Sequence, residues 1–335
     1  MGICEADCMR AKKSAKKAPK RAPKKGSAKA VRKPATKASA PSKASAEHGA
    51  KAARKIARAP APVLRPLPVY EFVAGDLAGY VRLADPDRGF EFSRALQGKS
   101  LPAVCREVLS LRHYLGRGSG GLLAPREAAE CDGKVDKSGI TFHYRKPNKW
   151  PVQATVRYEL LPAGGLDATF AFTFARDVKG FEAGIETIIP RTYFGVSVHS
   201  GGRWVTATAG PRLKRFYPRN LGAAELIADG RWSGLRMAGI GLAVEPRGYD
   251  YPMLVLWEPG SEWALLYMGL TEECSSVWVN GADRTIGMAL VGANVKAQSA
   301  ATCRLRALLC QVDQLDDVLP HYRNFVQQAR ATRKR

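Results

Sequence analysis

The chain has 335 residues and a formal net charge of +23, and this length excludes one small domain. No run approaches the roughly eighteen apolar residues of a membrane-spanning helix, and the N-terminus lacks the apolar core of a secretion signal, so a cytoplasmic protein is the simplest expectation. The positive charge is uneven: residues 1–60 hold 18 Lys and Arg against three acidic residues, whereas the other 275 residues hold 35 against 27.

The first 62 residues are predicted to form a disordered basic tail. The stretch "AKKSAKKAPKRAPKKGSAKA" contains no aromatic or branched residue, so it cannot bury enough apolar surface to offset the entropy of ordering. A flexible polycation binds polyanions without sequence preference. The side chains expected to do so are Lys12, Lys13, Lys16, Lys17, Lys20, Arg21, Lys24 and Lys25. The tail resembles the Lys/Ala/Pro-rich tails of linker histones, which implies a nucleic acid partner, although an acidic polysaccharide would meet the same charge.

The segment "VQATVRYELLPAGGLDATFAFTF", residues 152–174, predicts a β-hairpin. Apolar and polar residues alternate along both arms, which is the period of a half-buried strand. Gly164 and Gly165 in "PAGG" supply turn chemistry between arms of about nine residues each. The hairpin therefore predicts a wide sheet with one polar face.

Strand-like segments separated by Gly and Pro continue over the rest of residues 63–312. The other predicted strands are 69–74, 79–84, 89–95, 139–145, 184–190, 192–200, 203–209, 236–245, 251–258, 263–270, 275–281, 284–292 and 301–312. About fourteen strands without alternating helices exclude a doubly wound α/β fold. We therefore expect an all-β fold, one large antiparallel sandwich.

Two helices are expected beside the strands. A short one covers residues 223–230 and ends on Gly230, a natural residue for a helix C-terminus. The other is amphipathic and occupies residues 313–335. Pro320 fits only in its first turn, which places the N-cap near Asp317. Its apolar stripe comprises Val318, Leu319, Tyr322, Phe325, Val326 and Ala329.

The hairpin and the following "FEAGIETIIPRTYFGVSVHSGG" resemble the central strands of galactose mutarotase-like proteins, the β-supersandwich superfamily. Aldose 1-epimerases and sandwich domains of polysaccharide lyases and glycoside hydrolases belong to it. The resemblance spans about residues 75–312. It implies a supersandwich in which the polar face of one curved sheet binds sugar.

The resemblance also implies a set of catalytic residues that is incomplete here. Mutarotases use a His in a motif similar to "HTYF" as general acid and a late Glu as general base. In "RTYF" Arg191 stands at the position of that His, and arginine cannot give up a proton near neutral pH. Glu245 in "GLAVEPRGYDYP" matches the base. Two histidines, His113 and His143, are in range for the second, earlier His, and neither has a matching context. The resemblance thus disfavours classical mutarotase chemistry.

A polysaccharide lyase-like reaction is the sharper enzymatic alternative. Elimination from a polyuronate needs a base and a cation that neutralises the carboxylate. Tyr193, His199 and Arg191 could fill these roles, and Glu245 could lie on the opposite wall of the substrate cleft. The plainer interpretation is a strand whose Arg and Tyr form hydrogen bonds at a sheet edge, and the sequence leaves open whether the protein is an enzyme.

Aromatic and polar side chains suited to a sugar are predicted as substrate contacts. Trp204 and Trp232 each follow a Gly/Arg turn, where one ring face has no strand partner. His143 and Arg145 share the polar face of one predicted strand, and Tyr249 is a further aromatic candidate. Pyranose rings match such surfaces because they combine an apolar face with a rim of hydroxyls.

The seven cysteines are scattered, without a C-x-x-C pair, and no His, Cys and carboxylate cluster has metal-binding spacing, so we expect neither a metal nor a cofactor.

Two function classes stay open. One is a carbohydrate-binding or carbohydrate-processing sandwich with a polyanion-binding tail. The other is a nucleic-acid-associated protein whose affinity lies in the tail and whose sandwich is passive or binds protein.

Overall fold

A computed structural model describes residues 69–83, 89–96, 99–117, 131–137, 139–145, 151–190, 195–208, 213–219, 242–244, 248–257 and 262–333. The chain divides into two units, residues 1–62 and 63–335, and the described residues belong to the second. The predicted basic tail and the predicted helix at 223–230 lie outside them.

Nearly all of the described residues belong to β-strands. In chain order the strands are β1 (Val69–Ala74), β2 (Leu77–Arg82), β3 (Phe90–Leu96), β4 (Lys99–Leu115), β5 (Cys131–Asp136), β6 (Gly139–Tyr144), β7 (Val152–Leu161), β8 (Gly165–Phe174), β9 (Val178–Ile188), β10 (Gly195–Ser200), β11 (Arg203–Thr208), β12 (Leu213–Phe216), β13 (Leu242–Val244), β14 (Met253–Trp257), β15 (Trp263–Gly269), β16 (Cys274–Asn280), β17 (Thr285–Val295) and β18 (Ala300–Gln311).

These strands form two nine-stranded sheets packed face to face. The first sheet has the order β1-β2-β3-β4-β9-β17-β16-β12-β13, and the second has the order β11-β10-β14-β15-β18-β8-β7-β6-β5. Neighbouring strands are antiparallel except for the short pair β12 and β13. Aromatic side chains from both sheets meet between them: Phe90 lies 4.8 Å from Tyr158, and Phe174 lies 4.9 Å from Phe181, measured between ring centroids. The prediction of an all-β antiparallel sandwich is confirmed.

The predicted hairpin is β7 and β8, with ten residues in each arm and a regular register from Val152 opposite Phe174 to Leu161 opposite Gly165. Its apolar face is buried in the core between the sheets. Of the two glycines in its turn, Gly164 takes positive φ, at +85°, and Gly165 does not.

Strand β4 was not predicted from the sequence because its alternation is interrupted. Glu107 and Leu109 both have φ near +51°, and the register against β9 shifts between Arg106 and Ser110 and again between Leu111 and His113. Such bulges insert residues that face out of phase and re-aim side chains. The short strands β5 and β12 were also missed.

The C-terminal helix, α1 (Val318–Arg333), follows a 3-10 turn at Leu315–Asp317, and Pro320 lies in its first turn as predicted. Its buried stripe consists of Val318, Tyr322, Phe325 and Ala329. These side chains pack on the outward face of the second sheet, against a cluster that includes Met253, Leu266 and Met268. Burying each large apolar side chain contributes about 1.5–3 kcal/mol. In the described part of the chain no helix is long and apolar enough to cross a membrane.

Candidate functional site

The outward face of the first sheet carries a dense group of buried polar side chains. Strand β9 alternates here: Phe181 and Ile185 point into the core, and Glu182, Gly184 and Glu186 take the other face. This polar face is the one that a period of two places away from the second sheet.

Strand register brings distant residues into one row on this face. Across β12, β16, β17 and β9, Arg215 is paired with Trp278, Trp278 with Gly287, and Gly287 with Glu186. The row therefore has a guanidinium at one end, an indole in the middle and a carboxyl at the other end.

Two glycines make room for two rings that lie close against the sheet. A Cβ on Gly287 would lie 2.2 Å from Cζ2 of Trp278, and a Cβ on Gly184 would lie 2.2 Å from Nε2 of His113. The indole and imidazole centroids are 5.9 Å apart. We call Trp278 and His113 the ring floor. The indole nitrogen of Trp278 is buried and has no hydrogen-bond acceptor among the described residues.

A buried ion pair supports one side of the ring floor. Arg215 donates from Nη2 to Oε2 of Glu182 at 2.9 Å and from Nε to Oγ of Ser276 at 3.0 Å. The Ser275 hydroxyl donates to the other Glu182 oxygen at 2.9 Å, and the guanidinium lies 5.2 Å from the Trp278 ring centroid. Because a buried charge is tolerated only when paired and hydrogen-bonded, this network holds Arg215 in place under the indole.

Glu186 has an unusual protonation equilibrium. Burial raises the pKa of its carboxyl to about 7; Arg112 opposes the shift, and the charges of Glu107 and Asp283 add to it. Nε of Arg112 lies 3.4 Å from Oε2 of Glu186. The side chain is 17% exposed, so solvent protons reach it.

His113 is the neighbour of Glu186 on the ring floor, with Nδ1 3.8 Å from Oε1. Burial, together with the charges of Arg215 and Arg112, lowers the pKa of the imidazole to about 3. The imidazole is therefore neutral at physiological pH. Together the two residues form a carboxyl that exchanges protons near pH 7 beside a neutral ring that can donate or accept a hydrogen bond.

The bulged backbone of β4 positions both Arg112 and His113. Positive φ at a non-glycine residue costs about 1–3 kcal/mol, and such strain concentrates at functional sites. At Leu109 the surrounding structure satisfies the backbone: its N–H donates to Oγ1 of Thr187 at 3.0 Å, and its C=O accepts from the Tyr158 hydroxyl at 2.8 Å.

The structure brings together two of the residues predicted as site residues, but on the second sheet. His199 and Trp204 are register partners on β10 and β11, with ring centroids 5.1 Å apart, edge to face. Nδ1 of His199 lies 2.9 Å from Oδ2 of Asp250, within ion-pair distance but not aligned as a hydrogen bond. Trp204 donates from Nε1 to Asp316 at 2.8 Å.

The other described candidates lie elsewhere. His143 and Arg145 are exposed near β6, where they contact Thr155 and Asp132 respectively. Five strands separate β6 from β10, so at about 4.8 Å per strand they are roughly 29 Å from His199.

Tyr249 is 1% exposed and donates its hydroxyl to the Cys274 carbonyl at 2.6 Å. Burial raises the pKa of this phenol, and the neighbouring Cys274 side chain adds to the shift. These contacts are those of a structural residue.

The remaining predicted residues lie outside the described part of the chain: Arg191, Tyr193, Trp232 and Glu245, with the eight basic tail residues. Within the described ranges no group of three or more His, Cys, Asp and Glu side chains could hold a metal ion.

Sequence reasoning missed Glu186, Arg112 and Arg215. One signal was available, because "FEAGIETI" alternates acidic and small residues with apolar ones on a predicted strand. His113 and Arg112 could not be found in this way, since the bulges of β4 remove the periodicity that would assign them a face.

No protein-family model matches the chain, and no curated protein matches it. Several solved structures are similar to it at low identity. A putative aldose 1-epimerase from Escherichia coli has a TM-score of 0.42 and 8% identity, covering 74% of this chain and 100% of that chain. A GalM/aldose epimerase homologue from C. elegans has a TM-score of 0.45 and 7% identity, with the same coverages. An alpha-N-acetylgalactosaminidase from Bifidobacterium bifidum, in its GalNAc complex, has a TM-score of 0.48 and 12% identity; 78% of this chain is covered, but only 39% of that enzyme.

Proposed function

We propose that the protein binds a carbohydrate on the outward face of the first sheet, and that Glu186 transfers protons to and from it. The observation that carries the proposal is a carboxyl with a pKa of about 7, 3.8 Å from a neutral imidazole, beside the ring floor. Strongly perturbed groups of this kind concentrate at functional sites.

The chemistry of the site suits a sugar. Trp278 is only 2% exposed, so its indole supports the site from below, and a sugar would contact the partly exposed side chains beside it. Glu186 and Arg112 supply the charged groups that orient hydroxyls or a carboxylate. The resemblance of "FEAGIETI" and its neighbours to mutarotase-like strands points to the same ligand class.

Glu186 is suited to proton transfer because near pH 7 it is present in both protonation states. As carboxylate it accepts a proton from a sugar hydroxyl or carbon acid, and as carboxylic acid it returns one to a leaving or ring oxygen. Sugar epimerase-like and polysaccharide lyase-like reactions both need this step. Arg191, Tyr193 and Glu245 stay proposed as partners in it, and Trp232 as a sugar contact. His199 and Trp204 lie on the outward side of the second sheet and take no part in this step.

The test compares the parent protein with Glu186→Gln and with Glu159→Gln, an exposed control on β7. Ligand binding is measured by calorimetry with neutral and acidic sugars, mutarotation by polarimetry from pH 5 to 9, and elimination by the absorbance of unsaturated uronate. We expect Glu186→Gln to reduce the catalysed rate about 10²–10⁴-fold and Glu159→Gln to leave it unchanged. Sugar binding without any rate acceleration would contradict the proton-transfer role of Glu186. If no sugar binds, the carbohydrate-binding function itself would be contradicted.

A second role is proposed for the basic tail, in the part of the chain with 18 Lys and Arg in 60 residues. Such a segment binds nucleic acid or another polyanion through counterion release. This role tethers the sandwich to an anionic polymer. It also carries the alternative function, a nucleic-acid-associated protein with a passive sandwich.

A further inference from the structure

A cavity of about 460 Å³ lies between α1 and the second sheet, next to the turn of the β7–β8 hairpin. Residues from β15, β18 and α1 line it, together with Asp76 from the turn between β1 and β2. Its size falls within the range of about 300–1,000 Å³ found for small-molecule sites. The cavity is on the side of the second sheet that α1 covers, whereas the ring floor faces outward from the first sheet.

The helix presents a polar stripe to this cavity. His321, Asn324 and Gln328 are spaced three and four residues apart, so they lie on one side of α1, and all three line the cavity. Asn324 and Gln328 are exposed beside the buried stripe of this amphipathic helix, and the cavity lies along that polar face. Trp263 at the start of β15 and Gln311 at the end of β18 complete the wall.

A chain of hydrogen bonds fixes the amides of this stripe. Asp167 accepts from Nε and Nη2 of Arg306 at 2.5 and 2.7 Å. Nη1 of Arg306 donates to Oε1 of Gln328 at 3.0 Å, and Nε2 of Gln328 donates to Oδ1 of Asn324 at 3.1 Å. Arg306 is 8% exposed and lies 5.2 Å from the ring centroid of Phe325. The Arg306 guanidinium is therefore held rigidly and fixes Gln328 and Asn324. The NH₂ group of Asn324 is then a positioned hydrogen-bond donor at the cavity wall.

We propose that this cavity is a binding site for a neutral saccharide. Its donors and acceptors are amides and an imidazole, and its one buried cation is already paired with Asp167. An anionic ligand would find no uncompensated cation and would approach Asp76. A purely apolar ligand would strip water from the amides without replacing its hydrogen bonds. Hydroxyls satisfy both kinds of group, and Trp263 offers an aromatic wall for a sugar ring.

The proposal stands independently of the proposed function, because it uses no residue of the ring floor. It assigns a second carbohydrate site to the opposite side of the sandwich, where it would hold a glycan without taking part in chemistry.

The test titrates the full chain with D-glucose, D-galactose, D-mannose, N-acetyl-D-glucosamine and their β-1,4-linked disaccharides, with galacturonate as the charged comparison. Binding is followed by calorimetry and by ¹H–¹⁵N NMR of the side-chain amides. Asn324→Ala and Trp263→Phe test the cavity. The matched control is Gln327→Ala, which is exposed on α1 and does not line this cavity. Glu186→Gln separates this site from the ring floor.

We expect saturable binding of at least one neutral sugar that shifts the side-chain amide signals of Asn324 and Gln328, weakened tenfold or more by Asn324→Ala and unchanged in Gln327→Ala. Asn324 is exposed, so its variant should keep the parent unfolding midpoint. Absence of neutral-sugar binding, equal binding of galacturonate, or binding unaffected by both cavity variants would overturn the proposal. Loss of binding in Glu186→Gln alone would assign the sugar to the ring floor instead.

Discussion

Glu186 derives its properties from its place in the first sheet. Strand alternation turns it away from the core, and register places it one strand from Gly287 and two strands from Trp278. Burial then disfavours the charged carboxylate more than Arg112 favours it. The same burial keeps His113 neutral, so two adjacent titratable groups have pKa values pushed apart, the arrangement expected of an acid–base site.

The raised pKa of Glu186 makes a prediction about stability. The folded state keeps the proton up to about pH 7 and the unfolded state loses it near pH 4.5, so this group destabilises the fold increasingly from pH 4.5 to 7 and by a constant amount above. Glu186→Gln should therefore gain stability relative to the parent as the pH rises through that window, with a gain of about 3 kcal/mol above pH 7. Urea unfolding of both proteins at pH 4.5, 6 and 8 measures the difference, and a pH-independent difference would contradict the shift.

The glycines under the ring floor make a second prediction. In Gly287→Ala the new Cβ meets Trp278 and also the backbone oxygen of Ile185 at 2.5 Å, so the fold should lose about 1–3 kcal/mol through overpacking. Gly195→Ala is the control, because its Cβ meets only the Cγ2 methyl of Thr206. Thermal unfolding of both variants distinguishes them, and equal losses would show that Gly287 has no special spacing role.

Two elements of opposite character position the two sites. Strand β4 is irregular, and its bulges turn Arg112 and His113 toward Glu186. Helix α1 is regular, and its three and four residue spacing separates a buried stripe from the polar stripe that lines the second cavity. The bulges of β4 therefore position side chains at the Glu186 site, and the periodicity of α1 positions side chains at the second cavity.

The packing of α1 can be tested through Phe325, which is 2% exposed and lies against Arg306. Phe325→Ala should lower the free energy of unfolding by about 3–5 kcal/mol, because it leaves a cavity under the helix. Gln327→Ala should change it by less than about 0.5 kcal/mol. Urea unfolding measures both, and a loss below about 1 kcal/mol in Phe325→Ala would mean that α1 contributes little to stability.

At the scale of the molecule, two large sheets sharing one core leave two outward faces. The first sheet uses its face for buried charges and two rings, and the second covers much of its face with α1. A sandwich of this width can therefore carry separate sites on opposite sides without disturbing the core between them.

The basic tail leads to a prediction about how the whole chain binds polyanions. Deleting residues 1–62 should abolish salt-sensitive binding to duplex DNA or heparin and leave sugar binding by the sandwich unchanged. If about ten tail cations engage DNA phosphates, log affinity should fall with log salt at a slope of roughly −9. Fluorescence anisotropy from 50 to 300 mM salt checks this, and retained affinity after the deletion would place the polyanion site on the sandwich.

Much of the fold could be predicted because period two is a local property of the sequence. The β7–β8 hairpin and the apolar stripe of α1 were placed in this way, and the polar face predicted for His143 agrees with the burial of its neighbours. The candidate site could not be predicted from the sequence. His113, Glu186, Arg215 and Trp278 come from four strands, and no local pattern states which strands become neighbours.

By itself the sequence determined the class of fold, the hairpin and the place where the helix begins, since each depends on residues close together in the chain. Only the tertiary structure decided that Glu186 meets His113 and that Arg306 anchors the amides of α1. Those contacts depend on strand order, on bulges in β4 and on burial, because a carboxyl acquires a pKa near 7 from the groups packed around it and not from its neighbours in sequence.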